Sequence, residues 1–487
     1  MRAVRHGFER ADLLTLGVAT VLTLLIAYAT VHSDARLDVG ILALIVVYFL
    51  LVTGWLLVPH VMVAISIPVF AFLPTAKVFV SPVLGPVKDV ITLAAGGAVL
   101  FTFLRRGNRK GLPQLDPVLG VLILALISLY VVNLGGSIEG GGHGIAWAQG
   151  VRLVAEPLML LLAGMTLRNP RKTLDIALTT LIAAGVVVAV YGIYQQYLGP
   201  NRLVELGYSY THEVRKIGNH LRSFGTLDDP FAYAAFLAEA LVGAIFWMRR
   251  SAFKTLVIAV LALGLTTSFV RSAILISLAL IALWLLQARK GTFGFILIAA
   301  SIAAGMSFLL ATAGASETHT VRAGPNQYLT LNGRTTVWAT VFSKPARVPF
   351  GLGVGKAGTA AARAKFGVIT DPRKAQGSTL AVDSGYFAVV ADIGLVGLLV
   401  FVALITRLGA MGVAATRRAG LPGWLALGWL TTILLDAVTR ESFTGFPTAF
   451  LGLLLIGVAL AAAGPGSSMG RDELIARVPP RSEPATR

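Results

Sequence analysis

Long apolar stretches, broken by short polar segments, run along most of the chain. A helix needs roughly 20 apolar residues to cross a bilayer. The pattern therefore predicts an all-α polytopic membrane protein with about 12–14 transmembrane helices and one long extracytoplasmic loop. The predicted spans are 12–31, 39–58, 60–80, 86–104, 117–134, 151–167, 174–198, 229–248, 254–270, 271–288, 292–313, 382–406, 421–438 and 446–463.

Basic residues cluster in the short segments on one side of these spans. If the spans alternate, that side holds the segments 105–110, 168–172, 249–254, 288–290 and 416–418. Because short cytoplasmic loops carry excess Lys and Arg, we expect this side to be cytoplasmic, together with both termini. The apolar run at 12–31 is longer than a typical signal-peptide core, so we expect an uncleaved first helix.

The composition agrees with a membrane location. Of 487 residues, 56% are hydrophobic and only 13% are charged, whereas soluble domains carry about 25% charged residues. The chain has no cysteine, which excludes disulfides, thiolate nucleophiles and cysteine-ligated metals. Much of the net charge of +18 is explained by basic residues that flank helix ends, so no nucleic-acid partner is expected.

The polar segments suggest four regions: N-terminal transmembrane helices at 1–219, a core at 220–410, C-terminal helices at 411–464, and a disordered cytoplasmic tail at 465–487. The core includes the long extracytoplasmic loop 314–381, which carries nine basic and two acidic residues. A basic surface on that side fits an anionic lipid head group or an anionic glycan.

Four residues in the core are candidates for chemistry. Arg271 lies inside an apolar run, and two interpretations stay open: a tight turn between two helices, or an anion clamp in a cavity. Arg222 precedes a helix start capped by Asp228 or Asp229. Arg334 shares a helical face with Trp338. Asp383 lies at the outer mouth of a helix, as an N-cap or as a general base.

Other features carry less weight. Arg152 and Glu156 are four residues apart and would pair with each other on a helix. The G-x-G-x-x-G at 353–358 follows no strand and fails the P-loop pattern, so we interpret it as a turn whose amides can approach an anion. Arg440 and Glu441 are expected in a solvated outer turn. Neither a metal site nor a cofactor is expected, since the histidines are isolated.

Together these motifs resemble the O-antigen ligase and Wzy-type polymerase superfamily. The resemblance covers about 265–405, with an upstream element reaching back to about 220. Its motifs, in order, are "RSFGTLDDPFAYAAFL", "LTTSFVRSAIL", "GRTTVW", "VPFGLGVG" and "DSGYFAVVADIGLVGLL". The sequence departs from the family in one place: Asp383 stands where ligases often have His, and Ser384 replaces the usual Asn.

The resemblance implies a bacterial inner-membrane glycosyltransferase of polysaccharide biosynthesis in the cell envelope. It would act without a metal and without a nucleotide sugar. The donor would be a glycan on a polyprenyl diphosphate such as undecaprenyl diphosphate, and the acceptor a lipid or another glycan. By position, the diphosphate clamp would comprise Arg222, Arg271 and Arg152, with Arg334 a weaker member, and Asp383 would be the catalytic base.

Three functions stay open at this stage. The first is glycan ligation onto an acceptor, and the second is polymerisation of lipid-linked repeat units. The third, from a different class, is transport of a polysaccharide or of a lipid carrier. Transporters often contain internal repeats. We see no such repeat in the sequence, and its polar residues are concentrated in one outer loop, which favours surface chemistry.

Overall fold

The computed structural model describes residues 36–81, 84–104, 116–133, 143–209, 214–217, 220–288, 349–361, 384–438 and 440–464. These residues form a mostly helical protein, and six of their helices are long and apolar enough to cross a membrane. The predicted class, an all-α multi-pass membrane protein, is confirmed. The predicted spans 12–31 and 292–313 lie outside the described residues.

The helices follow the predicted spans closely. They are α1 (Arg36–Leu57), α2 (Pro59–Phe79), α3 (Val87–Leu104), α4 (Pro117–Val132), α5 (His143–Met165), α6 (Pro170–Glu205), α7 (Pro230–Trp247), α8 (Ala252–Thr267), α9 (Arg271–Ala288), α10 (Gly385–Ala419), α11 (Leu421–Asp436) and α12 (Thr448–Ala462).

Three helices are longer than the hydropathy pattern predicts. Helix α5 begins at His143 rather than near 151. Helix α6 continues to Glu205 across a kink at Gly199, and α10 continues to Ala419. These extensions are less apolar than the spans, and hydropathy alone does not detect helix that leaves the hydrocarbon region.

The segment after α6 also contains a short hairpin that the sequence analysis treated as loop. Strands β1 (Arg215–Ile217) and β2 (His220–Arg222) pair antiparallel, with Arg215 opposite Arg222. Strands of three residues carry too little alternation for a period-of-two pattern to be visible.

Successive helices run antiparallel, so the bundle has two ends. We call one of them the site end. Helices α2, α4, α6, α8 and α11 end there, and helices α3, α5, α7, α9, α10 and α12 begin there. Hydrogen bonds tie neighbouring connections together there, such as Ser223 N to Thr267 O at 2.9 Å. At the opposite end, Trp247 Nε1 donates to Asp175 at 3.2 Å.

Close helix packing forms the centre of the bundle. Helices α5 and α12 cross at Gly164 and Gly457, where a Cβ on Gly164 would lie 2.5 Å from the Leu454 carbonyl oxygen. Small residues of this kind let transmembrane helices approach at backbone distance. Large apolar side chains such as Leu104 and Leu399 remain exposed on the outside, as expected of a surface in contact with lipid.

Helix α10 is broken at Gly394, which has φ 71° and ψ −167°. A break of this kind leaves backbone groups without their helical partners. The segment 349–361 supplies them: Leu352 N donates to Ala391 O at 2.7 Å, and Val396 N donates to Pro349 O at 3.2 Å. The break in α10 therefore anchors part of the predicted outer loop to the bundle at the site end.

Candidate active site

The segment that carries Arg222 is fixed by side chains of α6. Gln195 Oε1 accepts from the amides of Phe224 and Gly225 at 3.0 and 2.9 Å. Gln196 Nε2 donates to Leu221 O at 3.0 Å. Buried polar groups paired in this way specify one backbone conformation. The hairpin and the following turn thus hold a defined position over the site end.

Arg222 reaches from this segment to the turn between α8 and α9. Its Nε donates to the carbonyl oxygen of Ser268 at 3.2 Å, and its guanidinium lies 4.6 Å from the ring centre of Phe231. Stacking of this kind holds the planar cation in one orientation. Asp229 caps α7 through the amide of Phe231 at 2.8 Å, which confirms the predicted cap.

Arg271 is the first residue of α9, directly after that turn. Only three residues separate it from the end of α8, and Phe269 among them has φ 51°. A bulky residue at positive φ is an outlier that the surrounding structure must impose. The apolar run at 265–284 is therefore a helix, a tight turn and a second helix. Arg271 lies directly after the turn, and its role as an anion clamp stays a prediction.

The start of α9 is attached to the end of α11. Ser272 Oγ donates to Asp436 at 3.2 Å, and Ser442 Oγ donates to the same carboxylate at 2.6 Å. Arg440 Nε lies 2.5 Å from Asp436 Oδ2, and its Nη2 donates to Thr448. The Asp436 side chain is 1% exposed. A buried carboxylate with these partners joins three parts of the chain.

The start of α10 meets the same place. Gly385 N donates to Ala437 O at 2.8 Å, and Ser384 Oγ donates to it at 3.2 Å. Helices α9 and α10 thus both begin around the end of α11. We call this arrangement the Asp436 junction: Ser272, Ser384, Asp436, Ala437 and Arg440.

Two of the predicted site residues lie outside the described residues: Arg334 and Asp383. Ser384, the immediate neighbour of Asp383 in the chain, belongs to the Asp436 junction. Ser272, the neighbour of Arg271, belongs to it as well. The junction therefore brings together two chain positions that are more than a hundred residues apart in the sequence.

Arg152 takes part in a different ionic network. Its Nη1 lies 3.0 Å from Asp89 Oδ2 and its Nε 3.7 Å from Glu156 Oε1. Lys88 contacts both acids, at 3.5 Å from Glu156 Oε2, and lies over the Phe450 ring at 5.0 Å. We call these four residues, Lys88, Asp89, Arg152 and Glu156, the α3–α5 network. It contains the i, i+4 pair that the sequence suggested.

The glycine-rich segment is a turn, as expected. Gly351, Gly353, Gly355 and Gly358 all have positive φ. Its amide at Thr359 does approach an anion, but that anion is Glu441 of the same chain, at 3.0 and 3.2 Å. The prediction that Arg440 and Glu441 lie in a solvated turn is wrong. Both are partly buried, and Arg440 is held by Asp436 of α11 and Glu441 by Thr359 of the segment 349–361.

Several acids of this end were missed from the sequence: Asp392, Asp436 and Glu239. Each is a single acid within an apolar run, in "VVADIGLVG", "TTILLDAV" and "FLAEALVG". Ionisable residues inside membrane segments are rare and usually mark function. That criterion was applied to Arg271, and the same criterion would have found these three acids.

These features define a multi-pass helical membrane protein with a charged, hydrogen-bonded site at one end of its bundle. Residues 255–402 match the family model described as O-antigen ligase. The match supports the O-antigen ligase superfamily, and with it a membrane enzyme of the ligase and polymerase type. The resemblance seen in the motifs is therefore confirmed over the matched residues, and the upstream element at 220–240 lies outside them. The matched segment contains Arg271, Arg334 and Asp383, whereas Arg152 and Arg222 precede it. A search of curated proteins gave no match.

Proposed function

We propose that this protein is a glycosyltransferase that moves a glycan from a polyprenyl diphosphate to an acceptor on the extracytoplasmic face. The observation that carries the proposal is the Asp436 junction, because it attaches the starts of α9 and α10 to the same end of α11. Arg271 begins α9, and Asp383 precedes α10 by two residues. The proposed clamp and the proposed base would then share one site.

The clamp would consist of Arg271 and Arg222. Arg222 contacts Ser268, three residues before Arg271, so both belong to the same turn region. Cleavage of a sugar–diphosphate bond develops negative charge on the leaving group. Preorganised guanidinium groups stabilise that charge without a metal. Arg334, within the long loop, is a further candidate for the same role.

Asp383 would accept the proton of the acceptor hydroxyl as that oxygen attacks the sugar carbon. The bond between the sugar carbon and the diphosphate oxygen breaks, and the polyprenyl diphosphate leaves. The segment 349–361, anchored at the break in α10, would support a loop that excludes water during transfer.

Arg152 is the weakest member of the proposed clamp. Its guanidinium already faces Asp89 and Glu156, and the α3–α5 network balances two cations with two carboxylates. A paired arginine offers little charge to a diphosphate. Its participation can be tested beside the others.

The orientation of the protein follows from the same proposal. The opposite end of the bundle carries the basic segments 168–172, 249–254 and 416–418. By the positive-inside rule, that end would be cytoplasmic and the site end extracytoplasmic, in the inner membrane of a bacterium.

The test is a transfer assay with the purified full chain, a polyprenyl-diphosphate oligosaccharide, crude envelope acceptors and EDTA. Arg271→Ala, Arg222→Ala and Asp383→Asn should each lower release of polyprenyl diphosphate by at least roughly 100-fold, as for loss of a transition-state charge contact. Arg152→Ala should retain most activity if it is folded. Full activity of Arg271→Ala at unchanged protein level would refute the proposal.

The product separates the alternatives. A ladder of repeat units would identify a polymerase, and a single transfer to each acceptor would identify a ligase. Donor binding without release, with every acceptor tried, would favour transport of a polysaccharide or of a lipid carrier.

A further inference from the structure

A cavity at the site end is lined by side chains that the proposed mechanism does not use. It lies between the segment 349–361, α4, α5, the first turns of α10, and the turn after α11. Its walls enclose about 390 Å³ not filled by protein atoms, the open mouth included. The polar residues that line it include Tyr130, Asp392 and Glu441, and Phe443 supplies an aromatic face.

The two acids come from different elements, and both line this space. The Asp392 carboxylate interacts with the hydroxyl of Tyr130 and the amide of Gly355. Its Oδ1 is buried and has no hydrogen-bond partner among the described residues. Glu441 accepts from the amide of Thr359 at 3.0 Å. An unmet carboxylate oxygen that borders a cavity is costly unless a ligand supplies a donor.

The charged residues that line the cavity determine which ligands it excludes. None of the described residues that line it is basic, and two are acidic. A diphosphate or any other anion would find no cation among these residues to bind it. A neutral molecule that carries several hydroxyl groups has the donors that carboxylates bind well, through charge-assisted hydrogen bonds. An aromatic face and small residues such as Gly150 and Ala388 suit the apolar side of a sugar ring.

The cavity also borders the start of α10. Gly385 and Ala388, on the first turn of α10, form part of its wall. Gly385 follows the proposed base, Asp383, by two residues. A sugar held in this cavity would thus lie beside the helix that follows the proposed base, whereas Arg222 contacts the α8–α9 turn and Arg271 follows that turn.

We propose that this cavity is the subsite for the acceptor sugar, that Asp392 and Glu441 bind its hydroxyl groups, and that they select an uncharged sugar over an acidic one. The proposal rests on the proposed function and names the acceptor class of that same site: the sugar unit that receives the glycan carries no carboxylate or phosphate beside the reacting hydroxyl.

The first experiment measures binding to the full-length protein in nanodiscs, without any reaction. The probes are matched pairs of the same ring: methyl glucoside against methyl glucuronoside, and methyl galactoside against methyl galacturonoside, by saturation-transfer NMR. Wild-type protein should prefer the neutral member of at least one pair. Asp392→Asn and Glu441→Gln should each weaken binding of the neutral sugar roughly 10-fold, as expected for loss of one charge-assisted hydrogen bond. Both should also reduce the preference for the neutral sugar over the acidic one.

Glu205→Gln is the matched control, since Glu205 is an exposed acid paired with Arg202 on the same end of the bundle. It should bind as wild type does. If Asp392→Asn does not fold, Glu441→Gln and Tyr130→Phe still test the site. Equal binding of neutral and acidic sugars, or unchanged binding by the folded variants, would overturn the proposal. So would a thermal shift of wild type by CaCl2 or NaCl that Glu441→Gln abolishes while no sugar binds, because the cavity would then be a cation site.

The transfer assay separates this proposal from the proposed function. Asp392→Asn and Glu441→Gln should raise the KM for the acceptor roughly 10-fold and leave the KM for the donor unchanged. Transfer with an unchanged acceptor KM would refute the subsite and keep the glycosyltransferase. Sugar binding that depends on Asp392, in a protein that transfers nothing, would refute the glycosyltransferase and the acceptor role, and would leave a cavity that binds sugar.

Discussion

Two ion pairs at the same end of the bundle, each with a buried acid and a partly exposed arginine, have the same spacing and different surroundings. Arg152 and Glu156 lie four residues apart inside the continuous helix α5. Asp436 and Arg440 also lie four residues apart, but α11 ends at Asp436. In the first pair the additional partners are charged residues of α3. In the second they are hydroxyl groups from α9 and from the turn after α11.

The two pairs therefore differ in which parts of the chain they hold together. The α3–α5 network balances its own charges and joins two neighbouring helices. The Asp436 junction instead holds the first residues of two other helices. Arg271 begins one of them, and Asp383, the proposed base, precedes the other by two residues. The two pairs therefore have the same spacing in the sequence but different roles. Asp436 lies at the end of its helix, where residues of other segments can bond to its carboxylate.

The largest expected effect is at the junction. Asp436→Ala removes the partner of Arg440, Ser272 and Ser442 together, and breaking a buried pair costs about 3–5 kcal/mol. We expect the unfolding midpoint in detergent to fall sharply and transfer activity to disappear. Asp436→Asn keeps the shape and part of the hydrogen bonding and should recover some stability. An unchanged midpoint for Asp436→Ala would contradict the role given to the junction.

The α3–α5 network should respond differently. Lys88→Met leaves Glu156 and Asp89 without one cation and should cost on the order of 3 kcal/mol, because a buried charge loses its partner. The double variant Lys88→Met, Glu156→Met should recover most of that loss. Both should keep the transfer rate per folded molecule. A double variant no more stable than the single one would show that the charges do not act as a pair.

The break in α10 can be tested with two glycines of that one helix. Gly394 has φ 71°, and a Cβ there would lie 2.3 Å from Pro349 O. Gly394→Ala should therefore cost roughly 2–3 kcal/mol, from strain at positive φ and from the clash. At Gly409 the nearest atom to a Cβ is a Leu430 methyl group at 3.8 Å, so Gly409→Ala should be neutral or slightly stabilising. Calorimetry of both variants would decide.

Asn133 links the same break to the anchored segment. Its Nδ2 donates to Phe350 O at 2.7 Å and to Asp392 O at 2.6 Å. Asn133→Ala should cost about 1–2 kcal/mol, since two hydrogen bonds of roughly 1 kcal/mol each are lost. Hydrogen exchange should accelerate in 349–361, whereas the α3–α5 network should be unaffected. Unchanged exchange in 349–361 would rule out this link.

The smallest effect is expected at the opposite end of the bundle. Asp116 precedes α4 and accepts hydrogen bonds from Arg407 of α10, Nε at 3.1 Å. The hydrogen bond from Arg407 lowers the pKa of Asp116 below its ordinary value of 3.8. The stabilisation is therefore complete above pH 3.8 and is lost as the pH falls through the lowered pKa. Asp116→Asn should remove this part of the acid sensitivity, as measured by unfolding against pH.

Much of the candidate site was accessible from the sequence as separate pieces. Arg222, Arg271 and Asp383 were each found because a charged residue beside an apolar run needs an explanation. The attachment of two helix starts to one helix end was not accessible from spacing. Ser272 bonds to Asp436 and Ser384 to Ala437, at the end of α11, and neither serine carries a signal that distinguishes it from other serines in helix starts.

The acids of the cavity show the same limit more strongly. Asp392 was overlooked inside a predicted span, and Glu441 was assigned to solvent. Their proximity follows from the break at Gly394 and from the docking of 349–361 against it. Backbone groups that lose their helical partners at a kink find new partners only in the folded chain. The order of hydrophobic and polar residues along the sequence therefore does not reveal these contacts.

The sequence by itself determined the membrane environment, the helical class and most of the helix positions, because a bilayer demands apolar stretches of nearly constant length. Only the tertiary structure decided which polar residues are neutralised, which remain beside a cavity, and which helix starts share one place. Those outcomes depend on contacts between distant segments, and the hydrophobic pattern that builds the bundle does not encode them.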